Sequence, residues 1–247
     1  GYIWINRLCA RVESGEVAVY GTGVSNLFFR FSLGERFSPG GSAISNAVYP
    51  QAPMICQVTF PPNTQNADQR VASLCSSSGG DIYGGTFVDF HGHPELSREK
   101  GGYLFRYRPA GDPGEGTYEN LGKPLEEEYG LTAMAEGPDG SIYIGTTPHA
   151  RLVRFLPSQG RFEDLGTPLE GEKAVTCLVR AGGVLYGGTY PGGRLFRYSD
   201  EGGFEVLGTP VAGKSELYAL AVSADGTVYG TVGVGAVLFD YRPWLPW

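Results

Sequence analysis

A phrase that returns five times along the chain constrains its fold more than any other feature. It reads "GGVLYGGTYPGGRLFRY" over 182–198. The same elements recur as "GGDIYGGTF" with "GGYLFRY" (79–87 and 101–107) and "DGSIYIGTT" with "ARLVRF" (139–155). They return in "DGTVYGTVGVGAVLFDY" (225–241) and in a worn copy, "GEVAVYGTGVSNLFFRF" (15–31). The marker tyrosines are Tyr20, Tyr83, Tyr143, Tyr186 and Tyr229, at intervals of 63, 60, 43 and 43 residues. From that tyrosine to the arginine of "LFRY" is 11 residues in the third and fourth copies and 23 in the second, so the second carries a 12-residue insertion. Glycine runs of this kind also cradle phosphates, but only in a strand–loop–helix context, and no apolar segment of helical period follows any copy. The glycines therefore punctuate a repeat.

Within a copy, short runs of β-branched and aromatic residues alternate with Asp-Gly or Gly-Gly breaks, which supply the positive φ that tight hairpins need. Each copy reads as a four-stranded antiparallel meander, and meanders repeated at 40–50 residues indicate a β-propeller. The opening strands "VASLC", "LTAMA", "VTCLV" and "LYALA" mix small and aliphatic residues, as crowding around a central axis requires. The expectation is one all-β domain of about five blades, near 7–60, 70–122, 131–166, 174–208 and 217–242. The fifth copy lacks an obvious fourth strand, so the segment Tyr2–Asn6 is expected to close the ring and remove both sheet edges. The rival arrangement makes the chain part of a larger ring.

These quoted repeats resemble kelch-type and sensor-associated propeller repeats over about residues 7–242. The resemblance implies the fold and not an activity.

With 41% hydrophobic and 18% charged residues the chain has the composition of a soluble globular protein. No run of 18 apolar residues offers a membrane span. A net charge of −7 opposes nucleic-acid binding, which depends on neutralising phosphates. Cys9, Cys56, Cys75 and Cys177 have no zinc-ligand spacing, and three of them fall on expected inner strands, where they read as buried free thiols. They leave the compartment open. A monomer is expected.

In a propeller the connections from second to third strand share one face with the connections between blades, and ligand groups gather on such loops. All three histidines fall in second-to-third connections: His91 and His93 in the insertion "FVDFHGHPELSREK", His149 in "TTPHAR". His-x-His spacing points two imidazoles to one side of an extended segment. With Asp89 or Glu95 beside them, His91 and His93 could hold a divalent metal. The blade-to-blade connections bring Arg70, Tyr129, Lys173 and Glu216 to the channel mouth, with Glu128 in the turn "LEEEYGL", and Tyr190 occupies the slot of His149 in the fourth copy. The recurring Arg30, Arg106, Arg154 and Arg197 read as a structural device of each blade; Asp240 replaces them in the fifth.

Two functions fit. One is a binding module whose histidine-bearing face takes a glycan or a protein partner at the channel mouth. The other is a carbohydrate-active enzyme that cleaves a uronate-containing glycan by β-elimination. In it His149 or His91 would be the base, Tyr190 the acid, and Arg70 or Lys173 the partner of the uronate carboxylate, with a metal on His91, His93 and Asp89 sharing that task.

Overall fold

The hairpins expected at the Asp-Gly breaks are formed. At Asp139-Gly140 the carboxylate accepts from the Ser141 amide (3.1 Å) and hydroxyl (2.5 Å), while Gly140 takes φ +79°. Asp225-Gly226 repeats the arrangement, with Asp225 accepting from the Thr227 amide and Gly226 at φ +86°. The computed structural model describes residues 5–13, 16–23, 28–33, 69–88, 101–110 and 116–244.

The described residues contain strands and turns without a helix. The first unit comprises β1 (Ile5–Glu13), β2 (Glu16–Gly23) and β3 (Phe28–Leu33). The second holds β4 (Gln69–Ser76), β5 (Ile82–Val88), β6 (Leu104–Arg108) and β7 (Thr117–Gly122). The third holds β8 (Gly130–Glu136), β9 (Ile142–Thr147), β10 (Leu152–Leu156) and β11 (Arg161–Gly166). The fourth holds β12 (Ala174–Ala181), β13 (Val184–Tyr190), β14 (Leu195–Ser199) and β15 (Gly203–Gly208). The fifth has β16 (Leu217–Val222), β17 (Val228–Val232) and β18 (Val237–Tyr241). Each unit is an antiparallel meander in chain order, and one further pair, Phe87 with Gly130, ties the second unit to the third. Ile5 pairs with Gly23 inside β1, so Ile5 and Asn6, expected in a separate closing strand, belong to the first unit's opening strand. Tyr2–Trp4, Cys56, Asp68, Asp89, Phe90, His91, His93 and Glu95 lie outside the described residues.

The opening strands β1, β4, β8, β12 and β16 run side by side, each touching the next. Bulges shift their register at Thr132 and Thr176, which frees those hydroxyls to reach the neighbouring unit. Thr132 Oγ1 donates to the Val175 carbonyl at 2.6 Å and Thr176 Oγ1 donates to the Leu217 carbonyl. Ser73 makes the matching bond to Leu131 at 2.6 Å.

Aromatic packing then locks unit to unit. Four of the five marker tyrosines meet the aromatic residue that follows the arginine, or Asp240 in the fifth unit, on the next unit's third strand: Tyr20 with Tyr107 (6.1 Å between centroids), Tyr83 with Phe155 (6.3 Å), Tyr143 with Tyr198 (5.9 Å) and Tyr186 with Tyr241 (5.8 Å). The repeated glycines make room for rings within the unit. A Cβ on Gly84 or Gly187 would lie 2.1 Å from Phe105 or 2.2 Å from Phe196. Sequence periodicity detects these glycines, but only packing explains them.

The "LFRY" arginines act mainly within their own unit. Arg106, Arg154 and Arg197 sit directly opposite Tyr83, Tyr143 and Tyr186 on the second strand. On the fourth strand they pair with Glu119 (2.5 Å), Glu163 (2.6 Å) and Glu205 (2.6 Å). Among the described residues Arg154 also reaches the next unit, to Asp200 at 2.9 Å. In the fifth unit Asp240 pairs with Arg242 instead.

Candidate functional site

The connection from β9 to β10 is a tight turn braced at its base. The Thr146 amide donates to the Arg151 carbonyl (3.0 Å), and the Arg151 amide donates back to Thr146 Oγ1 (3.0 Å). Thr189 and Arg194 repeat the brace in the fourth unit, and Thr86 with Tyr103 repeats it in the second, at the base of the insertion. The braces explain why a threonine closes each "YGGT" or "YIGT" phrase.

A carboxylate from the preceding connection caps this turn. Glu172 accepts from the Gly192 amide at 2.8 Å, and Glu128, at the matching position of the third unit, accepts from the His149 amide at 3.3 Å. The third unit adds an imidazole. His149 Nδ1 lies 2.7 Å from Glu128 Oε1. The Glu128 side chain is 3% exposed and the His149 side chain 57%. The backbone of the Glu128 segment is fixed as well, since the Glu128 carbonyl accepts from Gly102 and the Tyr129 amide donates to Thr147. A buried carboxylate on Nδ1 sets the ring's orientation and leaves Nε2 facing outward.

His149 opens onto a cavity of about 600 Å³. Its walls come from 125–128, from Pro148, His149 and Arg151, from Asp164 on β11, and from Thr167 and 170–172. Loops between strands two and three and loops between units thus share one face here, as expected. The lining includes Glu126, Glu127, Glu128, Asp164, Glu170 and Glu172, against one guanidinium, Arg151, which is itself paired with Asp164. The site is strongly acidic.

Of the residues singled out in the sequence, His149 lies at this cavity. Tyr190 is 41% exposed and Lys173 is exposed, but neither is among the lining residues. Arg70 is on β4 with its backbone opposite Phe87. The metal set Asp89, His91 and His93 falls outside the described residues; among those described, no three His, Cys, Asp or Glu residues converge as a metal site would require. Glu128 was legible only as one acid of a solvated turn. The signal that marks it is its repeat partner Glu172, each two residues before an opening strand.

No protein-family model and no curated protein matches the chain. Solved structures do. A catalytically inactive histidine-to-alanine variant of virginiamycin B lyase from Staphylococcus aureus, with quinupristin, is similar at TM-score 0.66 and 11% identity, over 99% of this chain and 71% of that one. A luciferin-regenerating enzyme is similar at TM-score 0.61 and 13% identity, over 93% and 70%. Regucalcin, a calcium-binding protein from Agrobacterium tumefaciens, is similar at TM-score 0.59 and 13% identity, over 94% and 68%. These neighbours are six-bladed-propeller-like structures of the gluconolactonase and virginiamycin B lyase folds. At such identities the likeness shows the fold, and the fold is a β-propeller.

Proposed function

We propose that the chain is a ligand-binding propeller whose ligand seats in the cavity beside His149. The observation that carries this reading is the exposed imidazole held through Nδ1 by the buried Glu128 carboxylate. A preset polar group at the rim of a concave site is what fixes a ligand's pose. The ligand is a glycan or a segment of a protein partner. Six carboxylates on the walls favour a neutral glycan or a basic protein segment over a uronate chain, since like charges repel most where solvent is thin. The test is calorimetric titration with panels of neutral and acidic oligosaccharides and basic peptides. Replacing His149 by Ala removes a hydrogen bond to ligand and should weaken binding about tenfold, as a loss of about 1–1.5 kcal/mol implies. Lys173→Ala should bind as the parent does. Equal affinity of His149→Ala and parent would refute the site.

A second reading is supported by the same dyad. Nδ1 is tied to a carboxylate, which leaves Nε2 to take a proton as a general base does. In the β-elimination considered from the sequence, His149 would remove the proton α to a uronate carboxyl, and the glycosidic C–O bond would break as the C=C bond forms. The leaving oxygen also needs a proton, a role proposed for Tyr190, and the carboxylate needs a cation, proposed as Arg70, Lys173 or a divalent metal on His91, His93 and Asp89. Release of an unsaturated sugar, followed by its ultraviolet absorbance, tests the reaction. Metal dependence of that signal, lost in a His91→Ala/His93→Ala variant, tests the ion.

A further inference from the structure

The fifth unit presents an apolar face that the other units bury. In the second unit this face carries Cys75, Tyr83 and Leu104, at 9, 3 and 0% exposure, and in the third Ala135, Tyr143 and Leu152, at 8, 5 and 0%. Their equivalents in the fifth unit are Ala221, Tyr229 and Leu238. Ala221 is exposed, Tyr229 is 39% exposed and Leu238 is 68% exposed. No ring packs on Tyr229 among the described residues, whereas rings pack on Tyr20, Tyr83, Tyr143 and Tyr186. Four interfaces within the structure show what belongs there: an aromatic side chain from the third strand of a following unit, seated on the marker tyrosine.

Phe31 pairs with Val19 in the register that Tyr107 and Tyr198 hold opposite Ile82 and Leu185, so its backbone occupies the third-strand aromatic position of the first unit. Direct closure would join Tyr229 to Phe31, yet β1 and β16 are not neighbours as the other opening strands are. The similar propellers extend beyond the shared part, with 26–30% of the length of the lyases having no counterpart here.

We propose that the face formed by Ala221, Tyr229 and Leu238 is a docking site for one further four-stranded unit of the same repeat, lodged between the fifth unit and the first. It would bring a Phe or Tyr on its third strand to Tyr229 and set its own second strand beside the first unit. A complete second copy of the chain is too large for the space that five units leave in a ring of six. This inference is independent of the ligand cavity, which lies on the third unit.

The test compares the chain with a version that carries a second copy of residues 174–208, its own fourth unit, linked after Trp247. Three quantities are read: amide exchange in β16–β18, mass in solution at two concentrations, and the melting loss caused by Tyr229→Ala. In the original chain β16–β18 should exchange at least about tenfold faster than β12–β15, and Tyr229→Ala should melt close to the parent, while Tyr186→Ala melts well below it. In the extended chain the β16–β18 amides should slow at least about tenfold, and Tyr229→Ala should become as damaging as Tyr186→Ala. The proposal is overturned if β16–β18 are already protected in the monomer, which means closure by the first unit or by Tyr2–Asn6. It is overturned if their protection appears only with a doubled mass, which means a second copy, or if the appended unit leaves them unchanged.

Discussion

Single residues already carry testable chemistry here. Burial pushes the Cys9 and Cys75 thiols up to about 12, and their proximity to each other adds to the shift at Cys9. Both should remain protonated thiols at pH 8 and should alkylate with iodoacetamide only at the rate of unfolding. Fast labelling of Cys75 in the native protein, followed by mass spectrometry, would contradict its position on β4. Glu128 is the more informative residue. Glu128→Gln keeps the turn cap but removes the charge behind His149, so it should weaken ligand binding while lowering the melting temperature little. Glu172→Gln alters the equivalent cap in the fourth unit, where no imidazole is present; because Glu172 also lines the cavity, it should weaken binding less than Glu128→Gln does. His149 stood out in the sequence because histidine is rare in this chain. Its partner did not, because three consecutive glutamates look like a solvated turn until the fold buries one of them.

At the scale of the element, the repeated phrase is a packing device. Gly187→Ala would drive a Cβ to 2.2 Å from the Phe196 ring and 2.9 Å from Leu178. It should destabilise by about 1–3 kcal/mol, the range for overpacking a well-filled interior. Gly183→Ala meets nothing within 4 Å and is the neutral control. Denaturant melts of the two variants measure the difference. The arginine echo gives a companion prediction. Arg154 joins Tyr143, Glu163 and Asp200, so Arg154→Ala should lose about 1–3 kcal/mol of stability, as loss of hydrogen bonds to a charged group does. Ligand affinity should stay at the parental value. That the arginines serve structure was legible from their regular spacing. Their reach was not: an in-unit pair and an inter-unit pair look the same in sequence, and only the register of β10 with β11, Arg154 opposite Glu163, decides between them.

For the molecule as a whole, stability should form a plateau around neutral pH with a fall on each side. On the acid side, hydrogen bonds from Arg154 hold Glu163 below the usual carboxylate range, and the Ser223 hydroxyl does the same for Asp225. Burial would raise Asp139, but its bonds from Ser141 outweigh that and lower it. These groups stabilise the fold above about pH 4, and that contribution disappears as the pH falls through their depressed values. On the alkaline side the raised groups act in the opposite sense. Burial lifts Tyr198 to about 12, as it does Cys9 and Cys75. Their contribution is complete below about pH 8.5 and declines as the pH rises toward 12, because the unfolded chain ionises first. Thermal melts from pH 3 to 11 check both limbs; a flat profile above pH 9 would show that these groups are not buried as described. The propeller itself was the most legible property, since every unit restates it. The state of the ring was not, because closure depends on what one end meets, and periodicity contains no information about ends.

The brace between Thr86 and Tyr103 gives the second unit an unusual latitude. Because the hydrogen bonds that finish the turns at Thr146 and Thr189 also finish this connection, the sheet meets the same two backbone ends whatever lies between them. The entropy of closing a loop grows only with the logarithm of its length, about 0.6 kcal/mol for each doubling. Segments of different length and chemistry, His91 and His93 included, can therefore be exchanged at that position with little effect on the scaffold. Sequence can diversify there while the architecture stays constant, much as one socket accepts many fittings.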